Sequence, residues 1–132
     1  SFTMVNVART NEEARAAAEE SFVWYPKHGA RIIGSVAAWL REEQEDLGTY
    51  DYLAGTQQRV EDGSLEYLTM DYLLDSNACV CGDPDRAIEM FKAYEATGCD
   101  LVFCLFNPYN VAHESVMQTI ELMGKYVIPE FR

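Results

Sequence analysis

At 132 residues the chain has the length of one domain, and about two thirds of the surface its unfolded form exposes can be buried, enough for a stable core. Lys and Arg total 10 against 22 Asp and Glu, a formal charge of −12, which repels phosphate backbones and anionic lipid surfaces, so neither nucleic acid nor a membrane is expected as a partner. The longest apolar runs fall far short of the ~18 residues a spanning helix needs, and the N-terminus carries no basic, cleavable leader pattern, so a cytoplasmic protein is expected.

Residues 2–8 (FTMVNVA) alternate, with Phe2, Met4 and Asn6 on one side and Thr3, Val5 and Val7 on the other, which predicts a strand. Thr10 followed by Glu13 is a capping-box pattern, and Ala14, Ala17, Ala18, Ser21, Phe22 and Tyr25 mark one face of a helix that Pro26 is expected to end. Residues 1–26 thus read as one βα unit. From 27 to 77 the pattern changes. Ile33, Val36, Ala37 and Leu40 predict a second helix closing in the acidic stretch 42–46, and Leu65, Leu68 and Tyr72 predict a third after the Asp62-Gly63 turn. Residues 48–60 have no clear period. With no buried strand in it, this section reads as a helical insertion of the kind that sits on the rim of a sheet or barrel. The aromatics at its border and within it, Trp24, Tyr25, Trp39, Tyr50 and Tyr52, are expected to form core or a contact surface, and His28 belongs with Lys27 and Arg31 to a small basic surface cluster.

Residues 78–132 hold the clearest pattern, two further βα units. A short apolar run at 78–81 is followed by Gly82 for a sharp exit, Asp83 as N-cap and Pro84 at the first helical position, where its missing N–H costs nothing. Ile88, Phe91 and Tyr94 repeat at helical spacing, and Gly98 supplies a left-handed stop. Residues 101–106 (LVFCLF) form a strand too apolar to be an edge. A last helix, 113–127, carries Val116, Ile120, Met123 and Val127 on one face and stops at Pro129. Cys79, Cys81, Cys99 and Cys104 lack zinc-finger spacing and sit in or beside strands, so they read as free thiols acting as small hydrophobes, with no metal expected.

The tally is an α/β chain of three parallel strands, each followed by helix. Three strands leave open edges that invite pairing. The chain is therefore expected to be an incomplete piece of a larger fold, or to complete its sheet with a second copy of itself.

The segment GDPDRAIEMFKAYEATGCDLVFCLF, followed by AHESVMQTIELMGKYVIPEF, resembles the closing portion of the bacterial luciferase-like monooxygenases, flavin-dependent TIM-barrel enzymes. The matching positions are Gly82, Pro84, Gly98, Asp100, His113, Pro129 and Phe131, and the opening MVNVARTNEEARAAAE is also similar to the family's strand and helix before its insertion. The resemblance implies an incomplete TIM-barrel-like fragment whose earlier βα units lie outside this chain. It further implies chemistry by reduced FMN, delivered by a separate flavin reductase and replaced in one branch by a deazaflavin, which activates oxygen against a small organic substrate. Most flavin contacts in the family come from the earlier strands. The chain alone is thus expected to bind no flavin and to be inactive, its partners being the missing N-terminal barrel portion or a second copy. The alternative is a non-catalytic α/β module that self-associates after losing the flavin-binding half.

In a barrel the working face lies at the carboxyl ends of the strands, here the loops 8–10, 82–83 and 107–112. Asn107, Tyr109 and Asn110 put three hydrogen-bonding side chains after a buried strand, where they can line a substrate pocket; alternatively Asn107-Pro108 is a turn and Tyr109 covers the core. His113 is a candidate proton shuttle or a capping group at a helix start. Arg9 is a candidate contact to a cofactor phosphate or anionic substrate, or a solvated loop arginine.

Overall fold

In a computed structural model the placement of residues 1–43, 48 and 52–131 is described. Strand β1 (Phe2–Val7) buries every residue after Phe2, and two shorter parallel strands flank it, β2 (Cys79–Gly82) and β3 (Phe103–Leu105), in the order β2-β1-β3. The register pairs Met4 with Cys79 and Val7 with Gly82 on one side. On the other it pairs Phe2 with Phe103 and Met4 with Leu105. The chain is mixed α/β with a parallel sheet, as its apolar runs require.

The order of the strands differs from the consecutive winding of a barrel segment, in which β2 would stand between β1 and β3. The connection from β1 to β2 runs one way and that from β2 to β3 returns past β1. The physical reason lies in strand length. β1 is the longest strand, and the central position gives both its backbone edges partners. As a consequence β3 is an edge after all, with Leu101 at 62% and Phe103 at 65% exposure.

Helix α1 (Asn11–Glu43) starts as predicted, with the Glu13 amide donating to Thr10 Oγ1 at 3.2 Å. It does not end at Pro26, which lies inside it. A proline removes one backbone hydrogen bond and disfavours helix at the residue before it, but the helix-forming run beyond, with Arg31, Ala37, Ala38 and Leu40, carries the helix on. The chain divides into two compact units, one of residues 1–22 and 70–132, the other Val23–Thr69.

In the first unit, α3 (Met70–Asp75), α4 (Pro84–Ala96) and α5 (His113–Leu122) accompany the sheet. A π-helical turn, Met123–Val127, and a 3-10 turn, Ile128–Phe131, end it. One core cluster joins Val5, Val7 and Val80 to Ala87, Met90 and Phe91 of α4 and to Met123 and Val127. The opposite face of the sheet presents Met4, Asn6, Cys79 and Cys81, all buried. The buried stripe of the last helix passes through Thr119, Met123 and Val127 rather than Ile120, which is 44% exposed. In the second unit α2 (Tyr52–Glu61) occupies most of the stretch without a period and packs on α1, where a Cβ on Gly34 would meet Val60 Cγ2 at 3.3 Å. Leu65 is buried in a turn and Leu68 in the irregular stretch before α3, neither in a helix. Ile33 and Val36 are exposed while Ala37 is buried. Tyr50, residues 44–46 of the acidic stretch and the side chain of Tyr52 lie outside the described residues. Among the described residues no helix is long and apolar enough to cross a membrane.

Candidate functional site

Parallel strands point their carboxyl ends the same way, so the loops after β1, β2 and β3 share one end of the sheet. The rung that closes that end runs from the Ala8 amide to the Gly82 carbonyl at 3.1 Å. Next to it the Asp83 amide donates to Asn11 Oδ1 at 2.9 Å, and the Asp83 carboxylate accepts from the Arg86 amide at 2.9 Å as the N-cap of α4. Gly82 is needed here for space. Its φ is not in the left-handed region, but a Cβ would stand 2.6 Å from Asn11 Oδ1.

The structure brings Arg9 and His113 together. They line a cleft of about 520 Å³ with Glu114, Met117, Gln118 and Glu121. His113 is the first residue of α5, whose N-cap, Ala112, offers no side-chain acceptor to the first turn. The cleft sets a guanidinium and an imidazole against two carboxylates. It can therefore orient a small polar molecule by donors and acceptors at once, with His113 as the group able to hold or pass a proton.

Asn107, Tyr109 and Asn110 do not line that cleft. Asn107 Oδ1 accepts from the Val111 amide at 3.0 Å, which makes Asn107 a turn residue. The Tyr109 amide donates to Ser21 Oγ at 3.0 Å, tying the loop to α1. Asn110 has φ 47°, a left-handed conformation that asparagine tolerates. All three are exposed.

One buried and one half-buried polar residue carry more of the architecture than their sequence setting suggests. Thr119, with 0% exposure, accepts from the Val7 amide at 3.0 Å and donates to the Val7 carbonyl at 3.2 Å. Tyr94 Oη donates to the Asn77 carbonyl at 2.6 Å and lies 2.9 Å from Thr3 Oγ1, and burial raises its phenol above the ordinary value. Their signal is a hydroxyl inside an apolar helical stripe. Asn6 is likewise buried in the central strand, and its Nδ2 has no hydrogen-bond partner among the described residues.

The cysteines are all free thiols. Burial pushes Cys79 and Cys81 up to about 12 and raises Cys104, so these are poor nucleophiles and poor metal ligands at neutral pH. Among the described residues no group of three or more His, Cys, Asp and Glu is placed to hold a metal ion. The cleft does not by itself fit a flavin, because its lining sets one arginine among two carboxylates, Glu114 and Glu121, and offers no Phe, Tyr or Trp to stack on a ring. No family model, no curated protein and no solved structure matches the chain.

Proposed function

We propose that the chain is the closing portion of a luciferase-like, flavin-dependent monooxygenase and furnishes one wall of its substrate cavity. The observation that carries this reading is the meeting of Arg9 and His113 in one cleft at the carboxyl end of a parallel sheet. The motif residues Gly82, Pro84, Gly98, Pro129 and Phe131 add to it. The flavin is held by the missing barrel portion, and FMN delivered by a reductase is the cofactor expected. Within this chain Arg9 orients an electron-rich group of the substrate, His113 holds a proton beside it, and Asn107, Tyr109 and Asn110 shape the adjoining loop.

Co-expression with an N-terminal barrel portion tests the reading. A yellow, flavin-binding complex is expected, while the chain alone stays colourless. In that complex the Arg9→Gln and His113→Ala changes should each lower kcat/KM at least tenfold, and the Asn107→Ala/Tyr109→Ala/Asn110→Ala triple change should lower it less. Unchanged kcat/KM in all of them would remove this wall from the site.

The second reading, a self-associating α/β module, is favoured by the exposed apolar edge. Leu101 and Phe103 are exposed at an edge strand of three residues. Under it, Phe103→Lys converts a sedimenting dimer into a monomer, and no flavin complex forms with any barrel portion.

A further inference from the structure

We infer that Thr119 is the positioning residue of the Arg9–His113 cleft, a strand surrogate whose single hydroxyl completes the β1 ladder and so fixes α5 on the sheet. The inference rests on the reading of that cleft as the functional one.

The direction of the backbone groups makes the argument. The Phe103 amide donates to the Ser1 carbonyl at 2.9 Å and the Ala8 amide to the Gly82 carbonyl at 3.1 Å. Odd-numbered residues of β1 therefore turn their N–H and C=O towards β3, and even-numbered ones towards β2. Val7 is odd, but the last paired residues of β1 and β3 are Met4 and Leu105, so Val7 points past the end of its neighbour. Both of its groups are buried there, where leaving them unpaired is costly. The Thr119 hydroxyl takes both, accepting at 3.0 Å and donating at 3.2 Å. A hydroxyl is the smallest group that can do so from one atom.

The two ends of this clamp lead directly into the cleft. Beyond Val7 the chain continues through Ala8 to Arg9, and upstream of Thr119 the same helix begins at His113. Gln118, the neighbour of Thr119, and Glu121 line the cleft as well. Holding Thr119 on Val7 thus sets which face of α5 meets Arg9.

The test is NMR on the whole chain as wild type, Thr119→Ser and Thr119→Val. In the wild type the Thr119 hydroxyl proton should be protected from exchange and show a cross-relaxation peak to the Val7 amide. Thr119→Val, nearly isosteric, should speed exchange of the Val7 amide at least tenfold and change the residual dipolar couplings of α5 relative to those of β1, while the β1–β2 couplings stay put. Thr119→Ser should restore both readouts. A merely structural threonine would lower the unfolding midpoint of Thr119→Val without reorienting α5, and that result overturns the proposal. If Thr119→Val does not fold, the wild-type spectrum decides, since absence of the protected hydroxyl and its peak also overturns it. Failure of the monooxygenase reading is seen elsewhere, as a colourless co-expression product with the clamp intact.

Discussion

Replacing Gly82 with alanine puts the junction of β2, α1 and α4 under direct strain. The new methyl would stand 2.6 Å from Asn11 Oδ1, 2.7 Å from Arg86 Cδ and 3.0 Å from Arg86 Cβ. The Arg86 chain end is exposed and can swing away, but Asn11 Oδ1 is engaged by the Asp83 amide at 2.9 Å and yields only by losing that bond. Overpacking costs about 1–3 kcal/mol and the lost hydrogen bond about 0.5–1.5 kcal/mol, so a loss of roughly 2–4 kcal/mol is expected. With an m-value of about 1–3 kcal/mol/M in urea, the midpoint falls by on the order of 1 M or more. Both tryptophans, Trp24 and Trp39, lie in the other compact unit, so the transition is followed through the amide resonances of Val5 and Val80 instead. In an Asn11→Ala background the conflicting oxygen is gone, and Gly82→Ala should then cost less than half as much. A loss below about 0.5 kcal/mol in the wild-type background, or costs that add within the usual ~0.5 kcal/mol of independent sites, refutes this account of the junction.

Tyr94→Phe removes the donor to the Asn77 carbonyl and the neighbour of Thr3 Oγ1, and should destabilise the first unit by about 1–2 kcal/mol at neutral pH, measured by the same urea titration. Cys79 and Cys81 should resist a thiol reagent at pH 8 until the protein unfolds, whereas Cys99, which is partly exposed, reacts in the native state. The same thiols set an alkaline limit. Their folded values, near 12, lie above the ordinary 9.0, so the stability they confer is complete below about pH 9 and drains away as pH rises towards 12. The slope is about 1.4 kcal/mol per pH unit for each thiol, and Cys81→Ala should flatten the curve. A flat stability profile between pH 9 and 11 would contradict their burial.

The elements legible in the sequence are those whose signals are local. Thr10 with Glu13, Asp83 with Pro84, and Gly98 at φ 81° each mark a helix end, because caps depend on a few neighbouring backbone groups. Pro26 misled for a complementary reason: a proline marks a local cost, and whether the helix survives depends on the residues beyond it. Strand order was hidden because LVFCLF reports only that residues 101–106 avoid water, not which neighbour they pair with. On the last helix the apolar spacing finds Met123 and Val127, which are buried, but it puts Ile120 inward, where Thr119 lies instead with its hydroxyl spent on Val7. Of the site, Arg9 and His113 were legible as strand-end and helix-start residues. Their meeting was not, since they lie at opposite ends of the sequence.

The strand order also turns the monooxygenase reading into a sharp expectation. Closing a barrel keeps the β1–β2 ladder, Met4 to Cys79 through Val7 to Gly82. It moves β3 from β1 to the outer edge of β2, and a preceding strand then takes the vacated rungs at Phe2, Thr3 and Met4. Val7 stays with Thr119, because it lies past those rungs. The exchange breaks three backbone pairs and lifts Val102, Cys104 and Phe106 off the core cluster, so the added strand has to supply the free energy that drives it. In the isolated chain, cross-strand NOEs should connect Thr3 with Cys104 and Val5 with Val80. In the flavin-binding complex the first should vanish, the second remain, and new ones link β2 to β3. A yellow complex that keeps the Thr3–Cys104 contact would mean that the flavin is held without a barrel closed through these strands.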